Sequence, residues 1–155
     1  MTETQLPGEI LTVGWREWVK LPDLGLPAIK AKVDTGARTS TLHAFEVNPY
    51  TENGQQRVRF KIHPIQRNND IVETCVADVV AERVVTDSGG HREQRFVIVS
   101  HLGIGPYWWP IEITLTSRDN MMFRMLIGRT AINGIARVDP SSSYLVGKKP
   151  RKKKD

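Results

Sequence analysis

The sequence predicts an all-β fold, a closed barrel or sandwich carrying one short helix near the C-terminus. Apolar and polar residues alternate with period two through several segments of the 155-residue chain. Clusters of glycine, proline, asparagine and aspartate divide those segments at short intervals. No stretch carries the apolar repeat of a long amphipathic helix.

Near the N-terminus, Leu11, Val13, Trp15, Val19 and Leu21 share one phase, with Thr12, Arg16 and Lys20 on the other. Pro22-Asp23-Leu24-Gly25 turns the chain into a second pattern, in which Ile29, Ala31 and Val33 alternate with Lys30 and Lys32. Glu52-Asn53-Gly54 precedes a third, where Val58, Phe60 and Ile62 alternate with Arg57, Arg59 and Lys61. Asp87-Ser88-Gly89-Gly90 lies between Val84-Val85 and Phe96-Val97-Ile98-Val99, which reads as a hairpin. Gly103-Ile104-Gly105-Pro106 makes a further turn, before Ile111, Ile113 and Leu115 alternate with Glu112, Thr114 and Thr116. Such segments are half-buried antiparallel strands, apolar phase inward and polar phase toward water. The one helical candidate, from about Arg129 to Asn133, is ended by Gly134.

The length suits one domain, residues 11–147, preceded by a short tail (1–10) and followed by a basic one (148–155). Cys75 is the single cysteine, so no internal disulfide forms, and its apolar setting, Cys75-Val76-Ala77-Asp78-Val79-Val80, suits a buried, inert thiol. The N-terminus lacks the basic and apolar regions of a signal peptide, and no apolar run approaches the ~18 residues of a membrane span. A cytoplasmic protein without membrane association is expected. The formal net charge of +5 belongs to residues 148–155, whose six basic groups face one acid; the first 147 residues balance. That tail is expected to be disordered, and either simply solvated or in contact with RNA or ribosome phosphates.

The residues that carry chemistry begin at Val33-Asp34-Thr35-Gly36-Ala37. An apolar strand ends in a carboxylate, followed at once by a hydroxyl residue and a glycine, which permits a tight turn and close backbone approach. On its own this is a weak signal, since a plain turn has the same composition. Met125-Leu126-Ile127-Gly128-Arg129-Thr130-Ala131-Ile132 adds an apolar run that reaches a glycine and enters the short helix. Between the two lies the glycine-rich hairpin around Ser88-Gly89-Gly90.

Catalytic loop, hairpin flap, strand, apolar–apolar–glycine segment and short helix follow each other as they do in retropepsins, so the chain resembles an aspartic peptidase with a closed, acid-protease-like β-barrel. Val13-Gly14-Trp15-Arg16-Glu17-Trp18, Ile29 to Ser40, and Trp109-Pro110-Ile111-Glu112-Ile113-Thr114-Leu115-Thr116 are similar to one bacterial family, commonly labelled "ATP-dependent zinc protease" and associated with the RimK-type glutamate ligase. The likeness runs from about Leu11 to Gly147. It implies catalysis by Asp34, Thr35 and Gly36, with Ile127, Gly128 and Arg129 supporting the loop. It also implies substrate contacts from Ala37, Arg38 and Thr39 and from Ser88, Gly89, Gly90 and His91. With a single Asp-Thr-Gly, the second carboxylate has to come from a second copy, making a homodimer in which Asp34 faces Asp34 across the two-fold axis and Thr35 braces the two loops. The substrate implied is a peptide or protein, including a glutamate-modified ribosomal protein.

The residues do not match the label. His43, His63, His91 and His101 are spread without zinc-ligand spacing and read as scattered surface histidines, and Gly128-Arg129-Thr130 has arginine where a phosphate-binding loop needs lysine. No metal and no cofactor are therefore expected, with a zinc protease kept as an alternative. Retroviral enzymes place acids where this chain has Arg38-Thr39, so the ion pair they make to the arginine after the glycine is missing here. Arg38, with His91 and Arg92, then either binds substrate carboxylates or pairs locally with Glu17 or Glu112. Trp15, Trp18, Trp108 and Trp109 read as core or dimer packing rather than base stacking. The competing functions are a non-catalytic peptide-binding partner of a glutamate ligase and ribosome association through the tail.

Overall fold

The computed structural model describes residues 4–65, 68–117 and 122–149. Residues 150–155, most of the basic tail, lie outside that description. In chain order the elements are β1 (Leu11–Gly14), β2 (Arg16–Leu21), a 3-10 turn (Pro22–Leu24), β3 (Leu26–Asp34), β4 (Ser40–His43), β5 (Phe45–Glu52) and β6 (Gln55–Ile62). Then come β7 (Glu73–Thr86), β8 (Arg92–Ile104), β9 (Tyr107–Thr116), β10 (Met125–Gly128), α1 (Arg129–Ile132) and β11 (Ala136–Asp139).

Among the described residues, nine strands form one sheet in the order β2-β3-β10-β4-β9-β8-β7-β6-β5, and β1 pairs with β11 in a separate parallel ribbon. The run from β2 to β8 curls until Lys20 of β2 pairs with Gly103 of β8. The all-β expectation holds; the expected closed barrel appears only as a curl in which the β2 edge meets β8 at this one rung, with β7, β6 and β5 continuing beyond it. Ile29, Ala31, Leu42, Ile98, Leu102, Ile113, Met125 and Ile127 fill its interior with at most 1% exposure. Each of these side chains larger than alanine contributes roughly 1.5–3 kcal/mol on burial.

Turns follow their chemistry. Asn53 (φ 52°) and Gly54 (φ 77°) form the two-residue link between Glu52 and Gln55, a geometry that needs two left-handed residues. Gly105-Pro106 links β8 to β9, and residues 87–91 link β7 to β8, closed by the Asp87 N–H bond to the His91 carbonyl. At the N-terminus Gln5 exchanges two backbone hydrogen bonds with Trp108. No helix among the described residues is long and apolar enough to cross a membrane.

Four buried polar side chains depart from the surface positions their chemistry suggests. Thr114 and Thr116, expected on the water-facing phase, are buried, because that face of β9 looks into a cleft rather than to bulk solvent. His43, grouped with surface histidines, is 8% exposed on the same cleft wall. Glu17 is fully buried; its Oε2 accepts the N–H groups of Gly14 and Leu145, and its Oε1 those of Val146 and Gly147. It holds the C-terminal segment against β1 and β2, which also removes it as a partner for Arg38.

Candidate active site

Asp34 closes β3, and its position is set by the strand beside it. β10 runs parallel to β3, with Gly128 in register with Asp34, and antiparallel to β4 on its other side. The β3–β4 connection, residues 35–39, therefore has to pass over the end of β10. Gly128 is the floor of that crossing: a Cβ there would stand 2.5 Å from the Thr39 carbonyl carbon and 2.8 Å from the Ser40 nitrogen. Only glycine permits this approach. Gly128 N–H donates to Ser40 Oγ (3.0 Å), and Arg129 and Thr130 N–H donate to the carbonyls of Ala37 (2.9 Å) and Arg38 (3.1 Å). Thr130 Oγ1 adds a bond to the Arg38 carbonyl (2.7 Å), and Arg129 Nη1 reaches the Gly36 carbonyl (3.3 Å). From behind, Val33 N–H donates to the Trp15 carbonyl (2.8 Å). The loop is pinned by backbone bonds on both sides, which is how a turn becomes a rigid mount for a carboxylate.

Within the loop, Gly36 N–H donates to Asp34 Oδ1 (3.0 Å) and Ala37 N–H to the Asp34 carbonyl (3.2 Å). Asp34 is half-buried, and Oδ2 accepts no bond from the described residues. Thr35 and Gly36 are exposed at the loop tip.

The carboxylate opens into a cleft of about 1020 Å³ between this loop and the long β7–β8 hairpin. Among the described residues, five arginines line it, Arg38, Arg83, Arg95, Arg124 and Arg129, against two aspartates, Asp34 and Asp87. Of the sequence-predicted residues, Asp34, Gly36, Ala37, Arg38, Thr39, Ser88 and Arg129 come together on its walls. Ile127 and Gly128 lie buried beneath the loop. Gly89, Gly90 and His91 sit exposed at the hairpin tip, where Asp87 Oδ1 accepts the N–H groups of Gly89 and His91 (2.9 Å each). Arg83, Arg95 and Arg124 were not singled out from the sequence. Arg95 shares a face of β8 with Val97, which pairs with Thr114 on the cleft side of β9.

Arg38 makes no ion pair among the described residues. Glu112, one of its expected partners, is instead chelated by Arg83 at 2.8 and 3.1 Å. Those bonds hold the Glu112 carboxyl below its ordinary range against the effect of partial burial, and the charge of Arg38 adds to them. Burial pushes Glu93 up, but hydrogen bonds from Thr116 and Ser117 and the charge of Arg95 outweigh it and hold that carboxyl low. Among the described residues no group of three histidine, cysteine or acidic side chains is placed to hold a metal ion.

The family described as "Retropepsin-like aspartic endopeptidase RimB" matches residues 12–149. This chain belongs to the RimB-like family. Its RimB-like residues are also 45% identical over 137 residues to a probable alpha-L-glutamate ligase of Shewanella pealeana, covering 88% of this chain and 30% of that protein. A protein with the same description from Parasynechococcus marenigrum is 45% identical over 137 residues, or 29% of its length. The chain thus spans under a third of the curated relatives it matches. Among solved structures, a protein of unknown function from Legionella pneumophila shares the RimB-like fold with a TM-score of 0.72 at 25% identity, covering 88% of this chain and 98% of that one.

Proposed function

We propose that this RimB-like chain is an aspartic endopeptidase that acts as a homodimer, with Asp34 of each copy facing the other across a two-fold axis. The observation that carries this reading is the Asp34 carboxylate, rigidly mounted over Gly128 with one oxygen bound and the other open to the arginine-lined cleft. Two such carboxylates brought together cannot both ionise, so the pair shares one proton. The ionised member takes a proton from water as that water attacks the peptide carbonyl; the protonated member hydrogen-bonds the carbonyl oxygen and then supplies the acid for the leaving amine. Thr35 is exposed at the loop tip, which leaves it free to brace a second copy's loop in such a dimer.

The positive lining favours an acidic peptide, and the alpha-L-glutamate ligase descriptions of the relatives favour a glutamate-modified substrate, such as a ribosomal protein, with a ligase of that type as partner. Digestion of a peptide library tests the reading. Asp34→Asn is expected to abolish cleavage while circular dichroism and sedimentation stay unchanged; cleavage by a clean Asp34→Asn preparation would refute it. A wild-type dimer that binds peptide but cuts none would support the second reading, a non-catalytic partner of the ligase.

A further inference from the structure

Arg95 is the unusual cation of the cleft. Arg83 is chelated by Glu112, Arg129 is spent on a loop carbonyl, and Arg124 Nη2 donates to Asn69 Oδ1 (2.7 Å). Arg95 is only 8% exposed, yet its fork is incompletely filled. Nε donates to Glu93 Oε2 at 3.2 Å, and Nη1 reaches the hydroxyls of Thr41 and Thr114 at 3.4 Å, the outer limit of a bond. Nη2 donates to none of the described residues. Glu93 cannot swing to improve the pair, because Thr116 Oγ1 (2.7 Å) and Ser117 N–H (3.2 Å) hold its two oxygens. A guanidinium has five N–H donors in a planar fork, and here the acid partner takes only Nε while Nη2 stays open to the cleft. The unfilled side faces the cleft.

We propose that Arg95 reads a side-chain carboxylate of the bound peptide in the floor of the cleft, with Glu93 as the positioning residue that fixes its plane. A second carboxylate arriving from the cleft completes a two-bond pair on the open side of a guanidinium whose residue is otherwise largely buried. The task expected of Arg38 and His91 falls chiefly to a residue deeper in the fold. In its turnover readout this rests on the peptidase reading; in its binding readout it does not.

The test compares short, C-terminally amidated glutamate peptides with their glutamine isosteres, so that only the side-chain charge differs. Cleavage is followed as kcat/KM with the full chain, and affinity by calorimetry with Asp34→Asn. The wild-type chain is expected to favour the glutamate peptide by roughly tenfold or more. Arg95→Gln should bring the ratio close to one, and Arg95→Lys, which keeps charge without the fork, should leave it in between. Glu93→Gln should weaken the preference in KM more than in kcat. Equal wild-type affinity for both peptides, or an unchanged ratio in either Arg95 variant, would overturn the proposal; the wild-type and Arg95→Lys arms decide even where Arg95→Gln does not fold. An Arg95-dependent binding preference without any cleavage would end the peptidase reading and leave the carboxylate site standing.

Discussion

Replacing Glu17 by glutamine keeps the size of the side chain and removes one acceptor. Oε2 takes the N–H groups of Gly14 (2.7 Å) and Leu145 (2.9 Å), and Oε1 takes those of Val146 (2.9 Å) and Gly147 (2.6 Å). In either orientation, the amide of the variant turns its own donors toward two backbone donors. The site has no exposed surface through which water can repair the loss. Each buried donor left without an acceptor costs about 1–3 kcal/mol, so Glu17→Gln should destabilise the fold by about 2–6 kcal/mol. Set against a typical total of about 5–15 kcal/mol, this is severe. Urea unfolding followed by tryptophan fluorescence is a suitable assay, since Trp15 and Trp18 flank the clamp. A shift below about 0.5 kcal/mol, the range of an ordinary surface change, would refute the reasoning.

Gly128→Ala forces a methyl group into the Thr39 and Ser40 backbone, so it should displace the Asp34 loop and cost about 1–3 kcal/mol or more; cleavage near the wild-type rate would contradict the floor assigned to Gly128. Stability should fall in acid. Glu93 and Glu112 are held below their unfolded values, so their contribution is full above those values and is lost as pH falls through the lower, folded ones. Melting temperatures should be level from neutrality to about pH 4.5 and decline below it, and a profile rising into acid would contradict this. Burial, assisted by Glu73, pushes the Cys75 thiol up to about 11, so iodoacetamide should label it at least ~100-fold more slowly in the native chain than in urea; equal rates would place it at the surface.

The strand pattern was legible because the core is filled from one phase. Ile29, Ala31 and Val33, Val58, Phe60 and Ile62, and Ile111, Ile113 and Leu115 are all buried as their alternation requires. Turns were legible where the backbone needs a special residue, as at Asn53-Gly54. The strand order was not. Nothing local says that β10 lies between β3 and β4, since that neighbourhood joins residues some ninety positions apart. Only likeness to a known arrangement suggested it. The arginine wall was missed for a related reason: alternation assumes one dry and one wet face, whereas β8 and β9 have core on one face and cleft on the other. Arg95, Thr114 and Thr116 then read as ordinary surface residues. Glu17 stands on the inward phase, and its backbone partners at 145–147 are invisible until the C-terminal segment is in place.

The crossing of residues 35–39 over β10 also bears on how the protein is made. Asp34 leaves the ribosome some ninety residues before the strand and helix that hold its loop from below, Met125–Gly128 and Arg129–Ile132. Until Met125–Gly128 slides in beside β3, the acidic group hangs on a connection without a floor. A product cut short before Met125 therefore lacks the support of the Asp34 loop, and any hydrolytic capacity has to wait until that strand is made and docked.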